Sequence, residues 1–349
     1  KISDKNDIKK FSKFFLHPAG RLCYGNCEYC FSKNYKYYPY EIKNDCFLTK
    51  NHIINFCNSI QPYIDLDIKR QLIITGGSCF MNPNVHELID LFTSHISIQH
   101  FSIQLDLMLP QNLYDQMIIS LNHIFNKYNT SRINLIITVD HGSKTRYSNS
   151  LNLNSEDINF RFLDIYQKFK HCENVYIYTR TNINKKTNIV DLIEEFKKYY
   201  DHKIVISYAL VKDPIYTPDL ETTQIWLKKI EDTFDISVCY QEEHAILNNE
   251  RGKKINKEDN YKFQLIEIED DIYMINPLFS ECSAFKTAIG INNGRYIPCH
   301  MGYMESDKLE ECLFINKNNP NYNLFFNIPQ QCKTCNFLST CMHCFPRRY

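Results

Sequence analysis

The chain has 349 residues, and its 40 Lys and Arg residues balance its 40 Asp and Glu residues, so no charge excess indicates a nucleic acid or an anionic membrane as a partner. Its apolar runs are too short to span a bilayer and its first residues lack the apolar core of a signal peptide, so we expect a soluble cytoplasmic protein. The chain has 15 cysteines, an odd number, and they cluster towards its two ends. With no recognisable secretory signal in the sequence, this distribution fits metal ligation better than a disulfide framework.

Residues 12–233 alternate regularly between strand-like and helix-like segments. Each of six extended apolar segments is followed by an amphipathic segment of helical period. This pattern predicts a parallel sheet covered by helices. Six units are too few for a closed eight-stranded barrel, so a partial barrel and a doubly wound sheet are both compatible, and either places its site at the carboxyl ends of the strands. The predicted strands are "SKFFLHPA", "RQLIITGG", "HFSIQLDLM", "INLIITVD", "NVYIYTRT" and "HKIVISYAL".

Three cysteines follow the first predicted strand with the spacing C-x3-C-x2-C, namely Cys23, Cys27 and Cys30. This spacing allows the three side chains to converge from one loop. A [4Fe–4S] cluster normally takes four thiolates, so three thiolates leave one iron open to bind another molecule. Tyr29 would add to an apolar shell around such a cluster. A zinc loop with a distant fourth ligand is the alternative interpretation.

The pattern changes after about residue 234. "YKFQLIEIEDDIYMINP" predicts a β-hairpin, and "KTAIGINNGRYIPC" predicts a second hairpin in which "NNG" supplies a tight turn. The many cysteines that follow indicate a small domain held together by metal more than by an apolar core. We therefore expect an N-terminal segment (1–11), an α/β domain (12–233), a bridging region (234–281) and a small cysteine-rich α+β domain (282–349).

The cysteine motif after the first strand of a six-unit β/α chain resembles the radical S-adenosylmethionine (SAM) superfamily. The resemblance implies a partial (βα)6 barrel in which the open iron chelates the amino and carboxylate groups of SAM. It also implies reductive cleavage of SAM to methionine and a 5′-deoxyadenosyl radical, which abstracts a hydrogen atom from the substrate. An electron donor of the flavodoxin or ferredoxin type is implied with this chemistry.

The same resemblance predicts a Gly-Gly-Glu motif after the second strand, where the backbone comes close to SAM. This sequence has Gly76, Gly77 and Ser78 there, followed by Cys79 where the family usually has Pro. A serine hydroxyl would replace the carboxylate contact to SAM only weakly, and an ordinary turn is the alternative. Related enzymes also place polar contacts to SAM or substrate at the ends of the fourth and fifth strands, where solvated strand ends are the alternative. The corresponding residues here are Thr138, Asp140, Arg180 and Asn182.

The C-terminal cysteines resemble the SPASM extension of radical SAM enzymes, which carries one or two auxiliary [4Fe–4S] clusters. Alone, the block C-x2-C-x5-C-x2-C is equally compatible with zinc. Its last spacing is x2 where the family has x3, and no cysteine follows Cys344 in the given sequence. Either Cys312 completes one cluster and leaves the other with an open iron, or a further cysteine lies beyond this sequence. The resemblance assigns Cys282, Cys299 and Cys344 to one cluster and Cys332, Cys335 and Cys341 to the other.

Enzymes with this extension usually act on peptide or protein side chains. We favour a peptide maturase that forms a thioether or carbon–carbon crosslink in a ribosomally made peptide, with oxidation of Cys or Ser to formylglycine as the alternative. His300 lies where sulfatase-maturing relatives carry an acidic residue and is a candidate proton acceptor or a structural histidine. About eleven residues precede the first strand, so a peptide leader would be recognised by a separate protein or another surface, or be absent. The competing classes are a non-catalytic zinc or Fe–S binding module and a plain electron carrier.

Overall fold

The computed structural model describes the polypeptide in several stretches of residues. The described residues form a large mixed sheet of eight strands with helices packed on it, and a small sheet of three strands. The α/β class expected from the sequence is therefore confirmed. The described stretches are 11–20, 22–25, 27, 47–143, 145–148, 150–198, 203–208, 218–234, 265–269, 272–275, 287–298, 305–313 and 315–316.

Six strands and six helices alternate along the first part of the chain, as the sequence pattern predicts. The strands are β1 (Lys13–His17), β2 (Gln71–Ile74), β3 (His100–Leu105), β4 (Arg132–Thr138), β5 (Val175–Ile183) and β6 (Lys203–Tyr208). The helices are α1 (Lys50–Ile60), α2 (Val85–His95), α3 (Gln111–Lys127), α4 (Ser155–Phe169), α5 (Ile189–Lys197) and α6 (Leu220–Phe234).

Consecutive strands are neighbours in the sheet and run parallel, in the order β1-β2-β3-β4-β5-β6. A doubly wound sheet would reverse its strand order at a switch point, and no such reversal occurs among these strands. The order is that of a barrel wound in one direction, which decides between the two architectures left open by the sequence. The six described units thus form a partial (βα)6 barrel, and all six strands point their carboxyl ends towards the same rim.

The helices cover the sheet because each presents one apolar face to it. Helix α1 buries Ile53, Phe56 and Ile60, and Phe14 of β1 packs against Phe92 of α2 with ring centroids 5.5 Å apart. Several helices begin where a polar side chain accepts backbone hydrogen bonds, as Asn154 does from the first turn of α4. No helix in the described part of the chain combines the length and apolarity needed to cross a membrane.

The second predicted hairpin is confirmed, and it joins the barrel sheet. It consists of β9 (Ala288–Asn292) and β10 (Arg295–Ile297) around Asn293 and Gly294, both with positive φ. Strand β9 also pairs in parallel with the free side of β1, an arrangement that the sequence pattern did not predict. Gly290 permits this close approach, because a Cβ there would lie 2.6 Å from the carbonyl oxygen of Phe15.

The first predicted hairpin is confirmed as well. Strands β7 (Leu265–Glu269) and β8 (Ile272–Ile275) pair antiparallel, with β11 (Ile315–Asn316) on the other side of β8. The short helix α7 (Glu310–Leu313) precedes β11. These strands form a sheet separate from the barrel sheet.

Candidate functional site

The loop after β1 carries Cys23 and Cys27, and backbone groups of the loop after β2 hold it in place. The amide of Gly77 donates to the carbonyl of Gly20 at 2.9 Å, and the amide of Ser78 donates to the carbonyl of Leu22 at 2.7 Å. The two strand-end motifs identified in the sequence are therefore brought into direct contact. Cys30 and Tyr29, which complete the predicted cysteine loop, lie outside the described residues.

Gly76 is required by the closeness of this contact. Its φ of 118° is unfavourable for residues with a side chain, and a Cβ at this position would lie 2.4 Å from the carbonyl oxygen of Gly20. The same atom would lie 3.3 Å from the ring of His17. The glycine pair expected to bring the backbone close to SAM thus has a role that is visible in the protein itself, because it allows the β2 loop to pack on the cysteine loop.

Two further contacts fix the cysteine loop. The hydroxyl of Ser148, in the segment after β4, donates to the carbonyl of Tyr24 at 2.7 Å. Gly25 packs against the buried side chain of Met108, and its amide donates to the sulfur of Cys23 at 3.2 Å. Amide hydrogen bonds to sulfur and an apolar neighbour are features that tune Fe–S clusters in proteins. The described part of the loop therefore fits thiolate ligation of such a cluster.

Asp106, which follows β3, contacts this loop through its carboxylate. The thiol of Cys23 donates to Oδ2 of Asp106 at 2.9 Å, and the hydroxyl of Ser78 donates to the same oxygen. The amide of Met108 donates to the other oxygen, Oδ1, at 3.2 Å. Three neighbouring strand ends, those of β1, β2 and β3, thus supply a thiol, a hydroxyl and a carboxylate to one small region.

A buried arginine links Asp106 to the end of β4. Nη1 of Arg146 lies 3.6 Å from Oδ1 of Asp106, and its Nε lies 3.5 Å from Oδ2 of Asp140. Burial acts to lower the pKa of Arg146, but the negative potential of the two cysteines and two aspartates outweighs it and raises this pKa. Burial also raises the pKa of Asp140, although Arg146 opposes the effect. The site therefore holds a permanent cation among several groups that can carry negative charge.

The thiol of Cys23 is strongly affected by these surroundings. Although the residue keeps exposed surface, desolvation by the surrounding protein and the neighbouring Asp106 carboxylate raise its pKa well above the usual value. Ligation of a metal requires the thiolate, so positive charge on the metal is needed to stabilise it here. In the part of the chain that the structure describes, no group of three or more His, Cys, Asp or Glu side chains is arranged to hold a metal ion, and the third cysteine of the motif falls outside that part.

The strand-end residues singled out in the sequence lie on the same rim. Asp140 and Asn182 are joined directly, because the amide of Asn182 donates to Oδ1 of Asp140 at 3.3 Å. Thr138 and Arg180 are partners in the register between β4 and β5. Asp140 also contacts Arg146, which links it to Asp106 at the cysteine site.

The predicted auxiliary cluster ligands fall almost entirely outside the described residues. Cys312 is described: it lies in α7 and is buried within the main apolar core. Its role as a ligand stays a prediction. The predicted residues outside the described part are Cys282, Cys299, His300, Cys332, Cys335, Cys341 and Cys344.

Asp106 and Arg146 are the two site residues that the sequence analysis missed. Asp106 had a usable signal, since it is a lone carboxylate at the carboxyl end of an apolar strand, where the fold concentrates functional groups. Arg146 had none, because it lies within a polar loop, "HGSKTRYSNS", whose path cannot be read from its composition.

Comparison with known proteins gives a match at the level of structure. No protein-family model matches the chain, and no curated protein sequence matches it. Streptococcus suis SuiB bound to S-adenosylmethionine aligns with a TM-score of 0.60 and 13% sequence identity, covering 97% of this chain and 74% of the other. Native anSMEcpe with bound AdoMet aligns with a TM-score of 0.56 and 14% identity, covering 95% and 88%. Native anSMEcpe with bound AdoMet and Kp18Cys peptide aligns with a TM-score of 0.55 and 14% sequence identity, covering 95% of this chain and 88% of the other. The chain shares the fold of these proteins.

Proposed function

We propose that this chain is a radical SAM enzyme that cleaves SAM reductively and modifies a peptide or protein side chain. The observation that carries the proposal is the packing of the Cys23–Cys27 loop against the Gly76–Ser78 loop at the carboxyl ends of a partial (βα)6 barrel. The site, its position in the fold and the sharing of this fold with two proteins that bind AdoMet all support the same chemistry.

Cys23, Cys27 and Cys30 would hold a [4Fe–4S] cluster, which when bound supplies the electron that cleaves SAM. The chain's own residues position and shield this site. Ser148 anchors the loop, and Met108 contributes an apolar wall beside it that limits access of water. The guanidinium of Arg146 offsets the negative charge that thiolate ligation adds among Asp106 and Asp140.

A peptide or protein is the proposed substrate class. Support comes from the fold shared with anSMEcpe, which has been solved with AdoMet and Kp18Cys peptide or Cp18Cys peptide. Within this class we favour formation of a thioether or carbon–carbon crosslink, because Ser78 and the altered cysteine spacing near the C-terminus depart from the sulfatase-maturing pattern. The mass of a cysteine-containing product separates the two reactions, since a crosslink removes hydrogen and keeps sulfur, whereas conversion of Cys to formylglycine removes sulfur.

The test is reconstitution of the full chain with iron and sulfide without oxygen, followed by dithionite, SAM and assay of 5′-deoxyadenosine. We expect the wild type to bind iron and form this product, and Cys27→Ala to form none. Cys57→Ala is the matched control, because it removes an equally buried thiol from α1, away from the rim, and should retain activity. Zinc in place of iron, or 5′-deoxyadenosine formation by the Cys27 variant, would refute the proposal.

A further inference from the structure

The Gly-Gly-Ser sequence lacks the carboxylate that the motif usually provides, but the structure has a carboxylate beside it. Ser78 is buried, with 1% of its surface exposed, and its hydroxyl donates to Oδ2 of Asp106. Strands β2 and β3 pair in parallel, so Asp106 reaches the same rim from the neighbouring strand. The hydroxyl of Ser78 therefore orients a carboxylate that comes from elsewhere in the chain.

We propose that Asp106 binds the α-amino group of SAM and thereby replaces the carboxylate that is missing at position 78. The proposal rests on the proposed function, because it assigns a residue to the SAM site of that reaction. It makes Asp106 a cofactor-binding residue and Ser78 the residue that positions it. Asp140 is less suited to this role, since its side chain is 1% exposed, against 11% for Asp106.

The contacts of the two Asp106 oxygens favour this assignment. Oδ1 faces the Met108 amide and Arg146, which fix the orientation of the carboxylate. Oδ2 lies 2.9 Å from the sulfur of Cys23, one of the proposed iron ligands. A sulfur bound to iron no longer carries the proton that it donates to Oδ2, so metal binding would free one acceptor position on this oxygen. The α-amino group of SAM carries N–H donors, and this oxygen would be an acceptor for them.

The test measures SAM binding by equilibrium dialysis with the reconstituted full chain, without reductant. The ligands are SAM and its analogue lacking the α-amino group. We expect Asp106→Asn to weaken SAM binding by roughly 10- to 100-fold, the range for a hydrogen bond to a charged group, and to leave binding of the analogue nearly unchanged. Asp90→Asn is the matched control, because Asp90 lies on α2 and bonds to His123, Lys127 and Tyr128. It should bind both ligands as the wild type does.

The outcomes separate this inference from the proposed function. Wild-type protein that carries its cluster and binds no SAM contradicts the proposed function itself. Wild-type protein that binds SAM, with Asp106→Asn binding SAM equally well or losing both ligands to the same extent, overturns only the role of Asp106. If Asp106→Asn assembles no cluster, the Ser78→Ala variant decides the question. It should weaken SAM binding by several-fold and leave binding of the analogue nearly unchanged. An equal change in binding for both ligands overturns the proposal.

Discussion

Replacement of Gly76 by Ala tests whether the close packing of the β2 loop on the cysteine loop organises the site. Two effects add at this position. A residue with a side chain at a φ of 118° carries backbone strain of about 1–3 kcal/mol. The new Cβ would also lie 2.4 Å from the Gly20 carbonyl oxygen, a backbone atom that cannot rotate away, and such overpacking costs about 1–3 kcal/mol. We therefore expect a total destabilisation of about 2–6 kcal/mol.

The assay is the thermal midpoint followed by circular dichroism, with iron content measured on the same samples. For a domain of the size of this barrel, the expected loss corresponds to roughly 5–20 °C. Gly294→Ala is the matched control: it also places Ala at a positive φ, but its Cβ would meet only the side chain of His52, at 3.1 Å. That variant should lose only about 1–2 kcal/mol and retain its iron. If Gly76→Ala is no less stable than Gly294→Ala and binds as much iron, the packing argument is wrong.

Two further predictions concern residues around the site. Nη1 of Arg161 donates to the carbonyls of Leu107 and Leu109 at 2.7 and 2.6 Å, and its guanidinium stacks on Tyr114, so it clamps the segment that carries Asp106. Arg161→Lys keeps the charge but loses this geometry, and should destabilise the protein by about 2–4 kcal/mol in thermal unfolding. Arg132→Lys is the control, because it loses a stack on Tyr176 at an exposed position and should destabilise the protein much less. Equal losses of stability in the two variants would contradict the role of Arg161 as a clamp. Burial acts to raise the pKa of Glu195, but the hydrogen bond from His141 helps to lower it, and the net result is a pKa below the usual value. The ionised Glu195 therefore stabilises the folded protein above its unfolded-state pKa of about 4.3, and this stabilisation is lost as the pH falls below that value. Glu195→Gln should therefore lower the thermal midpoint at pH 7, and the difference in midpoint between variant and wild type should narrow below about pH 4.3. A difference that is constant with pH would exclude the Glu195 carboxylate as the cause.

The sequence predicted the barrel well because its determinants are local. Each strand is a short apolar run and each helix has a regular apolar face, so periodicity identified all six β/α units. Strand-end residues such as Ser78 and Asp140 were identified from the resemblance to radical SAM enzymes, and their position at the ends of parallel strands agrees with it. The choice between a barrel and a doubly wound sheet depended on strand order, which periodicity does not encode.

The parts that the sequence did not predict depend on contacts between distant segments. The pairing of β9 with β1 could not be predicted from the sequence. The segment "AIGINNGRYI" has the pattern of a two-stranded hairpin, and that pattern does not indicate that a third strand pairs with it. The network around Arg146 depends on the path of an irregular loop. From the sequence, Ser78 in place of the usual Glu was expected only to weaken a contact with SAM. The carboxylate of Asp106, which we propose as the replacement, follows another strand and is therefore not visible in the local motif.

The position of β9 affects how the chain folds as it is synthesised. Lys13 of β1 pairs with Ala288 of β9, so one side of the strand that precedes the cysteine loop lacks its partner until most of the chain has left the ribosome. An unpaired strand edge is a template for pairing with other chains. A fragment that ends before β9 would expose this edge permanently, and its aggregation would then reflect the missing strand and not a defect in the barrel itself.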